Sequence, residues 1–233
     1  MAEQIYTIPI NEAFDQYDGC PLCRLKKKLE ADSLDYIMGA AMMEPDVRQM
    51  TNRQGFCRKH YDDMLAMKNR LSMALTLESR LDTVTALFDT SAGKDKRSRL
   101  KKYQGETNAA AVAQTAHSCF VCQRAAGFEE KYVDNTVHMW KKDPAFREKL
   151  KKQPLFCLDH YARLVELGQK TLSEDAFLTF QADLNAIMLA YARSIRQDVT
   201  AFTQHFDYHA QGQKMTEEQK TAVERAASFL AGA

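Results

Sequence analysis

The chain has 233 residues, of which 45% are apolar, and its 32 basic and 31 acidic side chains leave a net charge of +1. An apolar fraction of that size suits a globular protein and excludes wholesale disorder, while the near-neutral balance argues against a generic nucleic-acid binder, which carries a basic excess. No run approaches the roughly 18 apolar residues of a membrane span, and the start, MAEQIYTIPINEAF, has early acids and no apolar signal region, so the expected location is cytoplasmic.

The first element is an irregular lead in which Asp18-Gly19 and Pro21 suit a turn around the pair Cys20 and Cys23. A helix over 22–43 is expected next, stopped by Pro45, because the residue before a proline is pushed out of the α region. Pro45 then suits the first turn of a short helix to residue 50. Gly55 breaks it and opens the motif QGFCRKHY at 54–61, which holds Cys57 and His60. From Cys57 the absence of Gly and Pro predicts one unbroken helix over 57–89. Met64, Met67, Leu71, Leu75, Leu81, Val84 and Phe88 lie on its apolar face.

The segment 90–105, TSAGKDKRSRLKKYQG, is polar and basic and reads as a linker; a phosphate-contacting patch is the alternative. An Ala-rich helix over 108–117 leads into Cys119 and Cys122. A helix over 121–142 follows, then a short one after Pro144. The motif PLFCLDHY at 154–161 brings Cys157 and His160, and its helix is expected to end at a break around Gly168. Ser173 suits an N-cap for a long helix over 173–205. Thr216 to Gln219 has the form of a capping box for a last amphipathic helix ending near Leu230.

The chain therefore reads CxxC-x33-CxxH and then CxxC-x34-CxxH, with all six cysteines used. At an offset of 99 the copies also match outside the ligands: Glu30 falls on Glu129, Asp35 on Asp134, Pro45 on Pro144 and Arg48 on Arg147. The expected fold is all-α, two pseudo-symmetric helical repeat units packed as one helical domain. The units span 1–89 and 106–209, and a C-terminal helix lies within 210–233. The long helices of the two units are expected to meet through Leu81, Val84, Leu184 and Ile187.

Cysteine pairs in a reducing compartment serve metals more often than structural disulfides. A CxxC places two thiolates on one turn, and a CxxH at a helix start adds two donors a turn apart, where the helix dipole favours the thiolate. Cys₃His is a common structural zinc set. Two zinc ions per chain are expected, on Cys20, Cys23, Cys57 and His60 in the first unit and on Cys119, Cys122, Cys157 and His160 in the second. Near-equal spacing favours pairing within each unit; pairing Cys20 and Cys23 with Cys157 and His160 is the alternative. Disulfides and an iron–sulfur cluster are the competing chemistries. His205 with His209, and His117 beside Cys119, are weaker ligand candidates. Tyr61 and Tyr161 are expected to brace the histidines that precede them. No Ser/His/Asp order, phosphate loop or carboxylate pair marks a catalytic site.

The doubled CPLC…GFCRKHY and CFVC…LFCLDHY motifs, together with HFDYH and the closing ERAASFLAG, resemble an uncharacterised family of bacterial helical proteins of unknown function. The resemblance covers nearly the whole chain and implies a bacterial cytosolic protein without an assigned activity. The function expected is a zinc-stabilised scaffold that binds an unidentified macromolecular partner. A zinc–thiolate redox or metal sensor is the alternative, with a small-molecule enzyme third.

Overall fold

Every regular element among the described residues is helical. The computed structural model describes residues 2–88, 104–206 and 214–231. In chain order the helices are α1 (Ala2–Phe14), α2 (Pro21–Met38), a 3₁₀ turn (Ala40–Met43), α3 (Pro45–Gln54), α4 (Arg58–Ala66), α5 (Arg70–Phe88) and α6 (Gln104–His117). After them come α7 (Phe120–Lys142), α8 (Pro144–Lys151), α9 (Leu158–Thr171), α10 (Glu174–His205), α11 (Glu217–Lys220) and α12 (Ala222–Ala231).

The helix expected over 22–43 ends at Met38 and gives way to the 3₁₀ turn, and the last helix is two, α11 and α12. Three further elements differ from expectation. The lead before Cys20 is helical, with Pro9 inside α1. The single helix over 57–89 is two, because Lys68 takes a left-handed conformation (φ 60°) and Asn69 starts a new helix by accepting from the backbone N–H of Ser72. The Asn69 amide also donates to the Met38 carbonyl, so the break ties α5 to the end of α2. Splitting the helix resets its face: Ser72, Met73 and Arg80 are buried on α5, whereas Leu71, Leu81 and Phe88 are exposed. Leu81 therefore does not carry the buried seam expected of it. Gly168, finally, does not break a helix. It lies buried inside α9, where a Cβ would come within 2.8 Å of the Phe180 ring of α10. The glycine is there for close helix approach.

The chain forms two compact units that do not follow the order of the sequence repeats. A terminal unit combines Met1–Lys27 with Phe128–Ala233, and a central unit comprises Lys28–Gly127. The chain crosses between them inside α2 and returns inside α7. The basic linker falls almost wholly outside the described residues; Gln104 and Gly105 already begin α6.

In the terminal unit α10 packs against α9, α8, α11 and α12. Its buried Phe180 packs tilted against Trp140 of α7, ring centroids 4.9 Å apart, and the Trp140 indole N–H donates to Asp183. Phe14 of α1 meets Phe146 and Phe156, ring centroids 4.9 and 6.2 Å apart, and Phe156 directly precedes Cys157. Buried Gln153 donates to the Phe14 carbonyl at the end of α1. In the central unit α5 packs on α3 and α6, over a core that includes Leu34, Ile37, Met38, Val47, Phe56, Met64 and Phe120. Buried Arg80, on α5, likewise donates to carbonyls at helix ends. Its guanidinium donates to the carbonyls of Asn52, Arg53 and Thr115, the last turns of α3 and α6. Carbonyls at helix ends lack intrahelical partners and carry partial negative charge, which is why a buried cation is tolerated there.

Candidate metal centres

Each CxxH begins a helix. Cys57 and Cys157 are the N-caps of α4 and α9, both extended (φ −75° and −67°), so the histidine three residues on projects from the first turn back over the cysteine. The approach to Cys57 is shaped by Gly55 at φ 63°, a left-handed position where a Cβ would also meet the Arg80 side chain at 2.8 Å. The Gly55 carbonyl accepts from the Phe120 N–H at 2.9 Å, which draws the second CxxC alongside the first CxxH.

The eight predicted donors form two groups, with the donor atoms of each within 4.8 Å of one another. The terminal group is Cys20, Cys23, Cys157 and His160; the central group is Cys57, His60, Cys119 and Cys122. The expected pairing within each repeat is thereby corrected: each CxxC joins the CxxH of the other repeat. Helix length supplies the reason. At about 1.5 Å per residue, α2 with its 18 residues carries the chain about 27 Å from its CxxC. The 10 residues of α3 recover only about 15 Å. The same holds for α7, 23 residues long, followed by α8 with 8.

In the terminal group the Nδ1 of His160 lies 3.6, 3.3 and 3.0 Å from the sulfurs of Cys20, Cys23 and Cys157. Cys23 and Cys157 are 3.4 Å apart. In the central group the Nδ1 of His60 lies 3.2, 3.3 and 3.5 Å from Cys57, Cys119 and Cys122, with Cys57 and Cys122 3.8 Å apart. A tetrahedral ion with bonds of about 2.3 Å to sulfur and 2.0–2.1 Å to nitrogen has S···N edges of about 3.6 Å and S···S edges of about 3.8 Å. Both groups approach a single-ion tetrahedron, the 3.0 Å edge between Cys157 and His160 departing most, by about 0.6 Å. Backbone N–H groups support the sulfurs: His160 N–H points at Cys157 and Cys122 N–H at Cys119.

The groups behind the histidines differ. His160 donates through Nε2 to the buried carboxylate of Glu129 at 2.7 Å. Placing that proton on Nε2 leaves the Nδ1 lone pair facing the sulfurs, as a ligand requires. Lys26 (3.6 Å) and Arg163 (3.4 Å) flank Glu129, and Arg163 also pairs with Asp159. In the central group the counterpart Glu30 is shared, unequally, between Lys59 and the histidine. Its carboxylate pairs with Lys59 at 2.5 Å and stands 3.6 Å from Nε2 of His60, beyond hydrogen-bond reach. That buried Nε2 has no protein partner. The inversion is written in the i,i+4 pair on the ligand helix: Lys59 with Asp63 in α4, Asp159 with Arg163 in α9.

Acid–base properties follow this geometry. Burial disfavours the His160 cation, but Cys157, Cys20 and Glu129 outweigh it and raise His160 to about 11. Burial and the nearby Lys59 hold His60 below its ordinary value. Hydrogen bonds from Cys20 and Cys23 pull Cys157 down, while Cys23, donating to Cys157, is pushed up. In the central group burial and Cys119 push Cys122 up to about 12. Hydrogen bonds from the His60 N–H and Cys122 bring Cys57 down despite burial. Glu129 is held below its ordinary value by the His160 hydrogen bond and by Lys26, against the cost of its burial.

A cavity of about 610 Å³ opens beside the terminal group, with Cys20, Cys23, Cys157, Lys27 and Phe229 in its wall. Cys122 of the central group is itself exposed. His117 is exposed and joins neither group. His205 packs edge-on against Phe206, and His209 lies outside the described residues. Tyr61 packs on Phe56, and Tyr161 donates to Asn185 at 2.6 Å. The roles of Glu129 and Glu30 are visible only in three dimensions. Their equivalence under the offset of 99, read from the sequence only as a mark of duplication, is the signal that could have found them.

The whole chain, residues 1–233, matches the model of a family of unknown function, DUF6062. The protein belongs to this family. No curated protein and no solved structure matches it. Among the described residues no helix is long and apolar enough to cross a membrane.

Proposed function

We propose that this protein is a cytosolic zinc protein, a helical scaffold for a macromolecular partner in which each of the two groups holds one structural zinc ion. The observation that carries the reading is the convergence of eight donors into two Cys₃His sets with single-ion spacing. A polynuclear iron–sulfur cluster needs its cysteine sulfurs farther apart than the edges of one tetrahedron. Three thiolates and one imidazole suit zinc, and four protein ligands leave no open position for catalysis. Each ion would fasten a CxxC to the CxxH of the other repeat, over 134 residues between Cys23 and Cys157 and 65 between Cys57 and Cys122. Structural zinc supplies about 10–16 kcal/mol of apparent binding energy at neutral pH, which appears as folding energy.

Elemental analysis of the purified protein together with its absorption spectrum tests this. Two zinc ions per chain in zinc-buffered solution and a colourless protein are expected; one metal under those conditions, or visible absorption, overturns the reading. A sensor role has its own support in exposed Cys122, 3.8 Å from Cys57, a pair placed to form a disulfide by giving two electrons to an external oxidant such as a peroxide, with release of the metal.

A further inference from the structure

The two groups carry the same donors but not the same support, and we infer that the central group is an exchangeable metal site whereas the terminal group holds its ion permanently. The inference rests on the reading of both groups as sites for a thiophilic divalent cation and names how one of them is regulated. Three observations carry it. His160 is held by Glu129 at 2.7 Å, while the Nε2 of fully buried His60 has no protein partner and Glu30 stands 3.6 Å away on Lys59. Cys122 is exposed, whereas Cys20 and Cys157 are buried. Cys119 and Cys122 stand at the junction of α6 and α7, which is held to the approach of α4 by the Phe120 N–H bond to the Gly55 carbonyl and to α4 itself through the group.

Exchange begins when one donor leaves and a competitor takes its place. At the central group a competitor meets Cys122 first, at the surface. The ring of His60 lacks the carboxylate that would fix its tautomer and raise its basicity, a support whose loss costs about 10- to 100-fold in affinity. Cys119, Phe120 and Val121 belong to the core of the central unit, so release of the ion would loosen the seat of α7 there and leave the terminal group closed. The occupant is a free or loosely buffered zinc-class cation, and its concentration would set the order of the central unit. No atom is transferred beyond the cation and the protons that replace it.

The test uses the full chain carrying two zinc ions, mixed with an excess of a chromogenic zinc chelator. One equivalent should leave fast and one slowly, with rates separated by at least about 10-fold, the lower end of what an orienting carboxylate contributes. Cys122→Ser should remove the fast equivalent and keep the slow one. Lys59→Asp with Asp63→Arg, which copies the charge order of α9 and keeps every ligand, should slow the fast phase. Glu129→Gln should speed the slow one. Release of both ions in one phase, or a fast equivalent that survives Cys122→Ser and so leaves through the cavity at the terminal group, overturns the inference. A double substitution without effect on the fast phase also counts against it. Protein that carries no metal on purification instead defeats the zinc reading itself, and elemental analysis separates the two failures.

Discussion

His160 and His60 each follow a cysteine at the same spacing and each faces three sulfurs through Nδ1, yet a buried carboxylate holds one and the other has no protein partner at Nε2. The sequence change responsible is small. The residue before the histidine is Asp159 in one copy and Lys59 in the other, and the residue three beyond is Arg163 against Asp63. With Lys59 on the first turn of α4, the nearest cation captures Glu30. With Arg163 one turn further along α9, the cation stands 3.4 Å from the same Glu129 oxygen that accepts from His160 at 2.7 Å, so it pairs with the carboxylate without taking it from the histidine. Identical ligand motifs therefore do not make identical sites, because the outer partners decide tautomer and basicity.

The largest expected effect separates the two groups by their cysteines. Cys157 is a buried donor and the N-cap of α9. Cys157→Ser should remove an ion worth on the order of 10 kcal/mol of folding energy and abolish cooperative melting of the terminal unit. Cys122→Ser, at the surface, should lower the melting temperature far less. Circular dichroism melts in zinc-buffered solution check this, and equal losses for the two proteins would erase the contrast between the groups.

A packing change should also act on one side only. Phe14→Ala opens a cavity against Phe146 and Phe156, next to Cys157, and should cost about 3–5 kcal/mol. The expected readout is faster amide hydrogen exchange across α8 and α9 with α4 unchanged. Equal acceleration in both helices would show that the effect is not local.

Next in size is the contrast between the carboxylates. Glu129→Gln should weaken zinc at the terminal group by about 10- to 100-fold, while Glu30→Gln should leave the affinity of the central group nearly unchanged, since its carboxylate is engaged with Lys59. Competition titrations against a zinc buffer measure both. A strong effect of Glu30→Gln would mean that Glu30 reaches His60 when metal is bound.

The smallest expected effect is a difference in protons. At neutral pH His160, raised to about 11, carries a proton that an incoming ion must displace, whereas His60, held below its ordinary value, does not. Zinc binding at the terminal group should therefore release one proton more from its histidine, and its affinity should fall more steeply as pH drops. Glu129 accepts from Nε2 and so raises the basicity of Nδ1 toward a proton and a doubly charged ion alike, and a steeper pH dependence and a tighter site therefore go together. Calorimetry in buffers of different ionisation enthalpy, on the Cys122→Ser and Cys157→Ser proteins, reads each site alone.

The long helices were legible because their stop signals are local. Pro45 and Pro144 open α3 and α8 as expected, and Thr216 with Gln219 forms the capping box ahead of α11. Asn69 as an N-cap was also there to be read, but the absence of glycine nearby hid the break that Lys68 makes. Gly168 looked like a breaker because a helical glycine gives the same signal whether it ends a helix or admits a neighbour. Phe180 against it decides which.

The eight donor residues, their chemistry and the helical class follow from composition and spacing alone, since ligand type and helix period are properties of short segments. The distribution of those donors between the two groups does not. Equal spacing of CxxC and CxxH favoured pairing within each repeat. A flexible loop would have allowed it, because lengthening a closed loop fourfold costs only about 1.2 kcal/mol. The segments between the motifs are rigid helices of unequal length, so the chain leaving Cys23 along α2 does not come back, and the partner for each half-site arrives from the other repeat. The orientation of Glu129 and Glu30 was likewise settled only in three dimensions, because whether a carboxylate meets a histidine or a lysine depends on which turn of a neighbouring helix bears the cation.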